Sequence, residues 1–228
     1  MLKRLYYILY QRIYVLLKRM RSDEGRVYMM HKVSEDGDIY AISAEHFSKF
    51  LNALCEKKKI VDLETLIREK DPDNVVICFD DVYASVYENA FPLLKEKDVP
   101  YYLFVCNEYL NREGYLSSEM LKEMLKDSKA ILGSHRFRHE LSRFMDEASL
   151  FHDLKQSKKQ LEEEFKTPVT DMAFPFGSVY ACSAGNIRAA FSIFDRVLMT
   201  YPLPYNEEDE NMLPRININD ATYAKEIR

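Results

Sequence analysis

Residues 75–87 read VVICFDDVYASVY. Five apolar residues, Val75 to Phe79, run directly into two adjacent carboxylates, Asp80 and Asp81. The apolar run reads as a buried strand, and its ending poses a choice. Aspartates favour turns, so the pair could simply mark a solvated strand end. Alternatively the two acids divide the labour of a site, one ligating a metal and the other moving a proton.

Outward from this strand, the chain alternates between strand-like and helix-like segments. Upstream, RVYMMH (26–31) reads as a strand ending at His31. ISAEHFSKFLNALCEKK follows with helical periodicity, Ser43 as N-cap and Phe47, Phe50, Leu51 and Leu54 on one side. Downstream, a helix is predicted from about Tyr83 to Lys97, broken or kinked at Pro92. Then come strands at 100–106 and 130–134, helices at 117–127 and roughly 147–166, and strands at 171–175 and 196–200 around a short helix near 183–191. LPRINI (213–218) reads as one last strand. Such alternation predicts a single parallel α/β barrel or sheet over residues 26–228.

In parallel α/β folds ligands gather at the C-terminal ends of strands. The residues just past each strand are His31; Asp80 and Asp81; His135 and His139, four apart; and Pro175, Phe176 and Gly177. Three of the five histidines therefore fall on one rim with the aspartate pair. The H-x-x-x-H spacing predicts two imidazoles on one face of a helical turn. Two imidazoles and a carboxylate form a zinc-type ligand set, and a second carboxylate beside them supplies a base. His46 and His152 lie in predicted helices and receive no role.

These residues resemble ordered signatures of a known family. CFDD resembles T-F-D-D, SHRFRHELSRF resembles S-H-[ST]-x-x-H, and AFPFG resembles R-x-P-Y-G, the motifs of polysaccharide deacetylases with a NodB-like domain (carbohydrate esterase family 4). The resemblance covers roughly residues 26 to 218. It implies a distorted (β/α) barrel, parallel strands with outer helices, and a metal-dependent deacetylase removing N-acetyl or O-acetyl groups from an acetylated carbohydrate. Asp81, His135 and His139 would hold one divalent ion, zinc first, with cobalt or manganese accepted by the same set. Asp80 would be the general base, and the Pro175–Phe176–Gly177 loop would wall the acetyl group and offer a backbone N–H to the oxyanion.

The sequence also departs from the family pattern. No histidine follows the late LPRININD segment, which carries Arg215; there is no tryptophan; and Ala173 stands where motif three has arginine. Cys78 replaces Thr and Val82 replaces Gly in motif one, and Arg136 replaces Ser/Thr in motif two. YMMHKV resembles a branch of the family that begins with a histidine-ending strand, which makes His31 the candidate acid. Arg215 would orient Asp80 in place of the missing motif-three arginine.

Composition narrows the partners. A formal charge of −5 leaves no footprint for nucleic acid. Four cysteines without paired spacing indicate free thiols and, with no signal-peptide pattern, a cytoplasmic setting. Residues 1–21 concentrate six basic side chains and no acid on an amphipathic helix (residues 1–25), which predicts peripheral contact with the inner face of a membrane or a cap on the main domain. Two other functions fit the residues: a catalytically inactive, glycan-binding or scaffolding relative, and an amidohydrolase acting on a non-sugar amide.

Overall fold

The computed structural model describes residues 25–178, 180–200 and 212–227. The predicted N-terminal helix and its membrane-facing charge lie outside the described residues. In chain order the elements are β1 (Arg26–Met30), β2 (Lys32–Val33), β3 (Ala41–Ile42), α1 (Ala44–Lys57), β4 (Lys59–Ile60), α2 (Leu63–Glu69), β5 (Asn74–Asp80), α3 (Phe91–Lys97), β6 (Tyr101–Val105), α4 (Ser118–Met124), β7 (Ala130–Ser134), α5 (Glu147–Phe165), β8 (Asp171–Ala173), α6 (Ala184–Phe191), β9 (Arg196–Met199), β10 (Met212–Pro214), β11 (Ile216–Asn217) and α7 (Tyr223–Glu226).

Strand order among the described residues is β10-β9-β8-β7-β6-β5-β1-β11, every pairing parallel, with β4 added beside β5 and β2–β3 forming a separate small pair. LPRINI is therefore not one strand. β10 pairs with β9 at one end of the sheet and β11 with β1 at the other, and only Arg215 separates them in sequence. The two ends of the sheet meet at that residue, giving a nearly closed barrel of parallel strands ringed by helices. This is the distorted (β/α) barrel expected above.

Side-chain alternation along the strands sorts the core into two layers. Val76 and Cys78 of β5 pack inside with Val27, Met29, Tyr102, Phe104 and Leu198. Val75, Ile77 and Phe79 face the helices instead, where they meet Phe47, Phe50 and Leu54 of α1. Asp80 shares the parity of Val76 and Cys78, so it points inward at the top of the barrel. Helix α1 begins where the sequence indicated: Ser43 caps it by accepting from His46 N–H, and Phe47, Phe50, Leu51 and Leu54 are its buried residues. Asp62 caps α2, an element the sequence reading did not find; seven residues give too short a periodic signal.

The predicted helix at 83–97 divides where Pro92 requires it. A π-helical turn, Val86–Ala90, precedes α3, and Phe91 N–H donates to Val86 O. Proline lacks the donor that a continuous helix would need at position 92, and the wider turn absorbs the mismatch. The same turn holds β2: Ser85 Oγ accepts from Val33 N–H at 3.3 Å and Asn89 Nδ2 donates to Val33 O at 2.7 Å. That clamp lies two residues from His31.

The interior is filled tightly enough that one position must be glycine. A β-carbon on Gly133 of β7 would overlap the Phe104 ring. Gly133→Ala is expected to destabilise the fold by about 1–3 kcal/mol through overpacking, measured as a shift in urea unfolding midpoint. An unchanged midpoint would show that the barrel interior has slack.

Candidate active site

The C-terminal rim of the barrel gathers the residues in question from the two strands that flank β6. Asp80 ends β5, Asp81 follows it, and His135 and His139 follow β7. Asp81 Oδ1 lies 3.5 Å from His135 Nε2 and 3.3 Å from His139 Nε2. The three side chains can present one ligand atom each to a common point. Asp80 sits beside them, its Oδ2 3.9 Å from His135 Nε2.

The helical turn predicted for the histidines is not there. Residues 135–141 form a loop, and Arg136 adopts φ 68°. The ligand spacing arises from that left-handed residue, which turns the chain so that both imidazoles face Asp81. Arg136 is itself fully buried. Its Nε donates to Asp153 Oδ2 at 3.0 Å, and its Nη1 donates to Glu140 O at 2.8 Å and Ser142 Oγ at 2.9 Å. The guanidinium thus pins the His139 loop onto α5. The sequence flagged Arg136 only as a departure from Ser/Thr; a buried arginine needs a fixed acid, and Asp153 is separated from it by a helix start that spacing alone does not connect.

Arg215 reaches Asp80 from the barrel seam. Its Nη1 lies 2.6 Å from Asp80 Oδ1 and 3.7 Å from Cys78 Sγ, with the guanidinium over the Phe104 ring. Both side chains are buried. Ala173, the position where motif three has arginine, is buried in the same interior cluster as Cys78 and Phe104.

Charge explains how each acid behaves. Burial raises the Asp80 carboxyl, but Arg215 foremost, with His135, outweighs it and holds the group below the usual aspartate range. Asp81 has no such partner. Burial and then the Asp80 charge push it up to about 7, against a smaller opposing pull from Arg215. Its Oδ1 is buried without a hydrogen-bond partner, an arrangement that a cation would satisfy. Burial lowers His135 to about 3 and lowers His139 as well, leaving neutral imidazoles with lone pairs to offer. The donor set and the orphaned oxygen fit a divalent metal ion.

His31 follows β1 at the opposite flank of β5. Burial foremost lowers its pKa, while Asp80 draws it upward. Its Nδ1 is buried without a partner, and its ring packs on Tyr40 at 5.2 Å between centroids. On the other side, Pro175 is buried, Phe176 is exposed with φ 62°, and Gly177 follows at φ 48°. Phe176 meets the His139 ring edge-on at 4.7 Å, and Gly177 O accepts from Thr200 N–H at 2.8 Å. The loop is thereby fixed at the mouth of the site. Glu108, which the sequence did not single out, accepts the His139 backbone N–H at 3.2 Å.

Comparison with known proteins gives the chain's family. The family profile described as Polysaccharide deacetylase matches residues 67–190, more than half of the chain. The chain belongs to the polysaccharide deacetylase family. A poly-β-1,6-N-acetyl-D-glucosamine N-deacetylase of Staphylococcus aureus (strain MRSA252) is 26% identical over 173 residues, which cover 68% of this chain and 58% of the relative. The match thus spans less than two thirds of that relative's length. Among solved structures, IcaB from Ammonifex degensii superposes with a TM-score of 0.78 at 23% identity, covering 90% of this chain and 96% of that one. A de-N-acetylase from Aggregatibacter actinomycetemcomitans gives 0.75 at 18% identity, covering 90% and 100%. At these identities the structures establish the deacetylase fold.

The raised Asp81 carboxyl gives a testable linkage in the chelated protein. Its folded pKa of about 7 exceeds the unfolded value, so the folded state holds a proton that the unfolded state has lost. This group's contribution therefore favours folding at acid pH and is lost as pH rises toward 7. Asp81→Asn removes the titration. With EDTA present, the variant is expected to gain stability relative to wild type between pH 5 and pH 8, read from urea unfolding at each pH. A constant difference across that range would show that Asp81 does not take up the proton.

Proposed function

We propose that this polysaccharide deacetylase hydrolyses the N-acetyl groups of an acetylated amino-sugar polymer or its precursor, using one divalent cation. The observation that carries the reading is the convergence of Asp81 Oδ1 with two imidazole Nε2 atoms at 3.3 and 3.5 Å, beside a carboxylate held ionised by Arg215. The name of the S. aureus relative supports the choice of N-acetylglucosamine-type substrate.

Asp81, His135 and His139 would hold the cation, with zinc preferred and cobalt or manganese accepted. When bound, it would polarise the acetyl carbonyl and acidify the attacking water. Asp80 takes that water's proton, and Arg215 keeps it oriented and unprotonated until then. The Phe176 backbone N–H would donate to the developing oxyanion, with the loop pinned through Gly177 to Thr200. His31 delivers a proton to the leaving nitrogen as the C–N bond breaks, giving acetate and a free amine. Its partnerless Nδ1 leaves that side chain free to serve a reacting group.

A retired, glycan-binding relative would have no reason to keep a partnerless buried carboxylate oxygen between two imidazoles. Acetate release from N-acetylglucosamine oligomers, with simple amides in parallel, tests the function. Asp80→Asn is expected to retain metal and lose roughly 10²–10⁴-fold in rate. Full activity in that variant would remove Asp80 from the mechanism. Metal-loaded wild type without acetate release on any sugar would favour the binding protein.

A further inference from the structure

Residues 107–116 carry no motif, yet they join the two loops that bear the metal ligands. At one end Asn107 N–H donates to Arg136 O at 3.2 Å and Glu108 N–H to Phe137 O at 3.0 Å. At the other end Leu116 N–H donates to Val82 O and Gly114 O accepts from Ala84 N–H, both at 3.0 Å, while Tyr83 and Tyr115 form an antiparallel bridge.

Aromatic rings run the length of this strap. Tyr83 stacks on Tyr115 with centroids 4.6 Å apart and planes at 24°; Tyr115 stacks on Tyr109 at 4.6 Å and 30°; Tyr109 stacks on the His139 imidazole at 5.5 Å and 27°. A continuous ladder of rings therefore leads from Tyr83, two residues past Asp81, to His139.

We propose that this three-tyrosine ladder is a positioning device that sets the separation of Asp81 and His139, with Tyr109 and Tyr115 as positioning residues for the metal site. The inference rests on the metal-site reading above. Both ligands need outside support. His139 stands on a loop without regular structure, and Asp81 and Val82 hold φ of 60° and 58°, a conformation that a β-branched residue keeps only where its surroundings enforce it. The strap supplies that enforcement at Val82 O and Tyr83. Flat rings are suited to carry it onward, because stacked faces fix both distance and tilt with few rotatable bonds. Supporting contacts of this kind typically change metal affinity by 10- to 100-fold when removed.

The test measures metal affinity by chelator competition with Co²⁺, together with the visible spectrum of the Co²⁺-loaded protein, which reads ligand geometry independently of turnover. Tyr109→Leu and Tyr115→Leu keep apolar bulk and lose the flat face. Each is expected to bind Co²⁺ roughly 10- to 100-fold more weakly and with altered band intensity, while circular dichroism shows the chelated variants folded. Tyr109→Phe keeps the ring and is expected to match wild type. Wild-type affinity and spectrum in the leucine variants would overturn the proposal, as would a Tyr109→Phe loss equal to that of Tyr109→Leu. Should Tyr109→Leu not fold, Tyr115→Leu, one ring further from the ligand, decides. Asp81→Asn separates the two readings: if it binds Co²⁺ as wild type does, the metal site itself is wrong.

Discussion

The ion pair between Asp80 and Arg215 is the contact on which both barrel and site depend. Arg215 is the single residue between β10 and β11, which pair with opposite ends of the sheet. Its guanidinium reaches inward to the last residue of β5, a strand buried along its whole length, at 2.6 Å. Removing one member of a buried pair leaves an uncompensated charge, at a cost of about 3–5 kcal/mol. Closure of the barrel and ionisation of Asp80 are therefore one interaction. A chain that failed to bring its last strands to β1 would also fail to hold Asp80 as a carboxylate.

That pairing sets the state of everything next to it. Two adjacent carboxylates share the top of the barrel with one guanidinium, so only one acid can be matched. Arg215 takes Asp80, and Asp81 is left with a raised pKa and a partnerless oxygen. The imidazoles, neutral through burial, cannot compensate that charge by protonation. A divalent ion would satisfy carboxylate and lone pairs together. The two like charges at a strand end are thus unequally partnered: Asp80 is matched by the fold's own cation, and the Asp81 oxygen stands unmatched beside two imidazoles.

Most of the architecture was legible because it rests on local signals. Five-residue apolar runs, Ser43 as a cap and the Pro92 break each work within a few residues, and each appears in the structure. What escaped depended on distance. LPRINI looks like one strand because nothing in six residues announces that its halves join opposite sheet ends. The H-x-x-x-H spacing suggested a helix because the left-handed turn at Arg136 is held by Asp153 and Ser142, which lie beyond the loop, together with the Glu140 carbonyl within it. The strap at 107–116 left no trace, since stacking of tyrosines carries no spacing rule that a sequence reveals.

Backbone conformation shows where the molecule concentrates strain. Lys70, Asp98 and Lys166 have positive φ, and each is the left-handed cap of a helix, an ordinary use. Asp81, Val82, Arg136 and Phe176 also have positive φ, but none caps a helix. All four follow β5, β7 or β8 on the same rim. A parallel strand delivers its side chains perpendicular to its axis, whereas a shared site needs them turned across the barrel mouth toward one point. The left-handed residues make that turn, and three of the four are held, at or beside the residue, by a contact from another segment: Leu116 on Val82, Asp153 on Arg136, and Thr200 on the glycine after Phe176. Bulky residues persist in such conformations only under this constraint. The site is therefore assembled by the loops that hold its strained turns as much as by the strands that end in it.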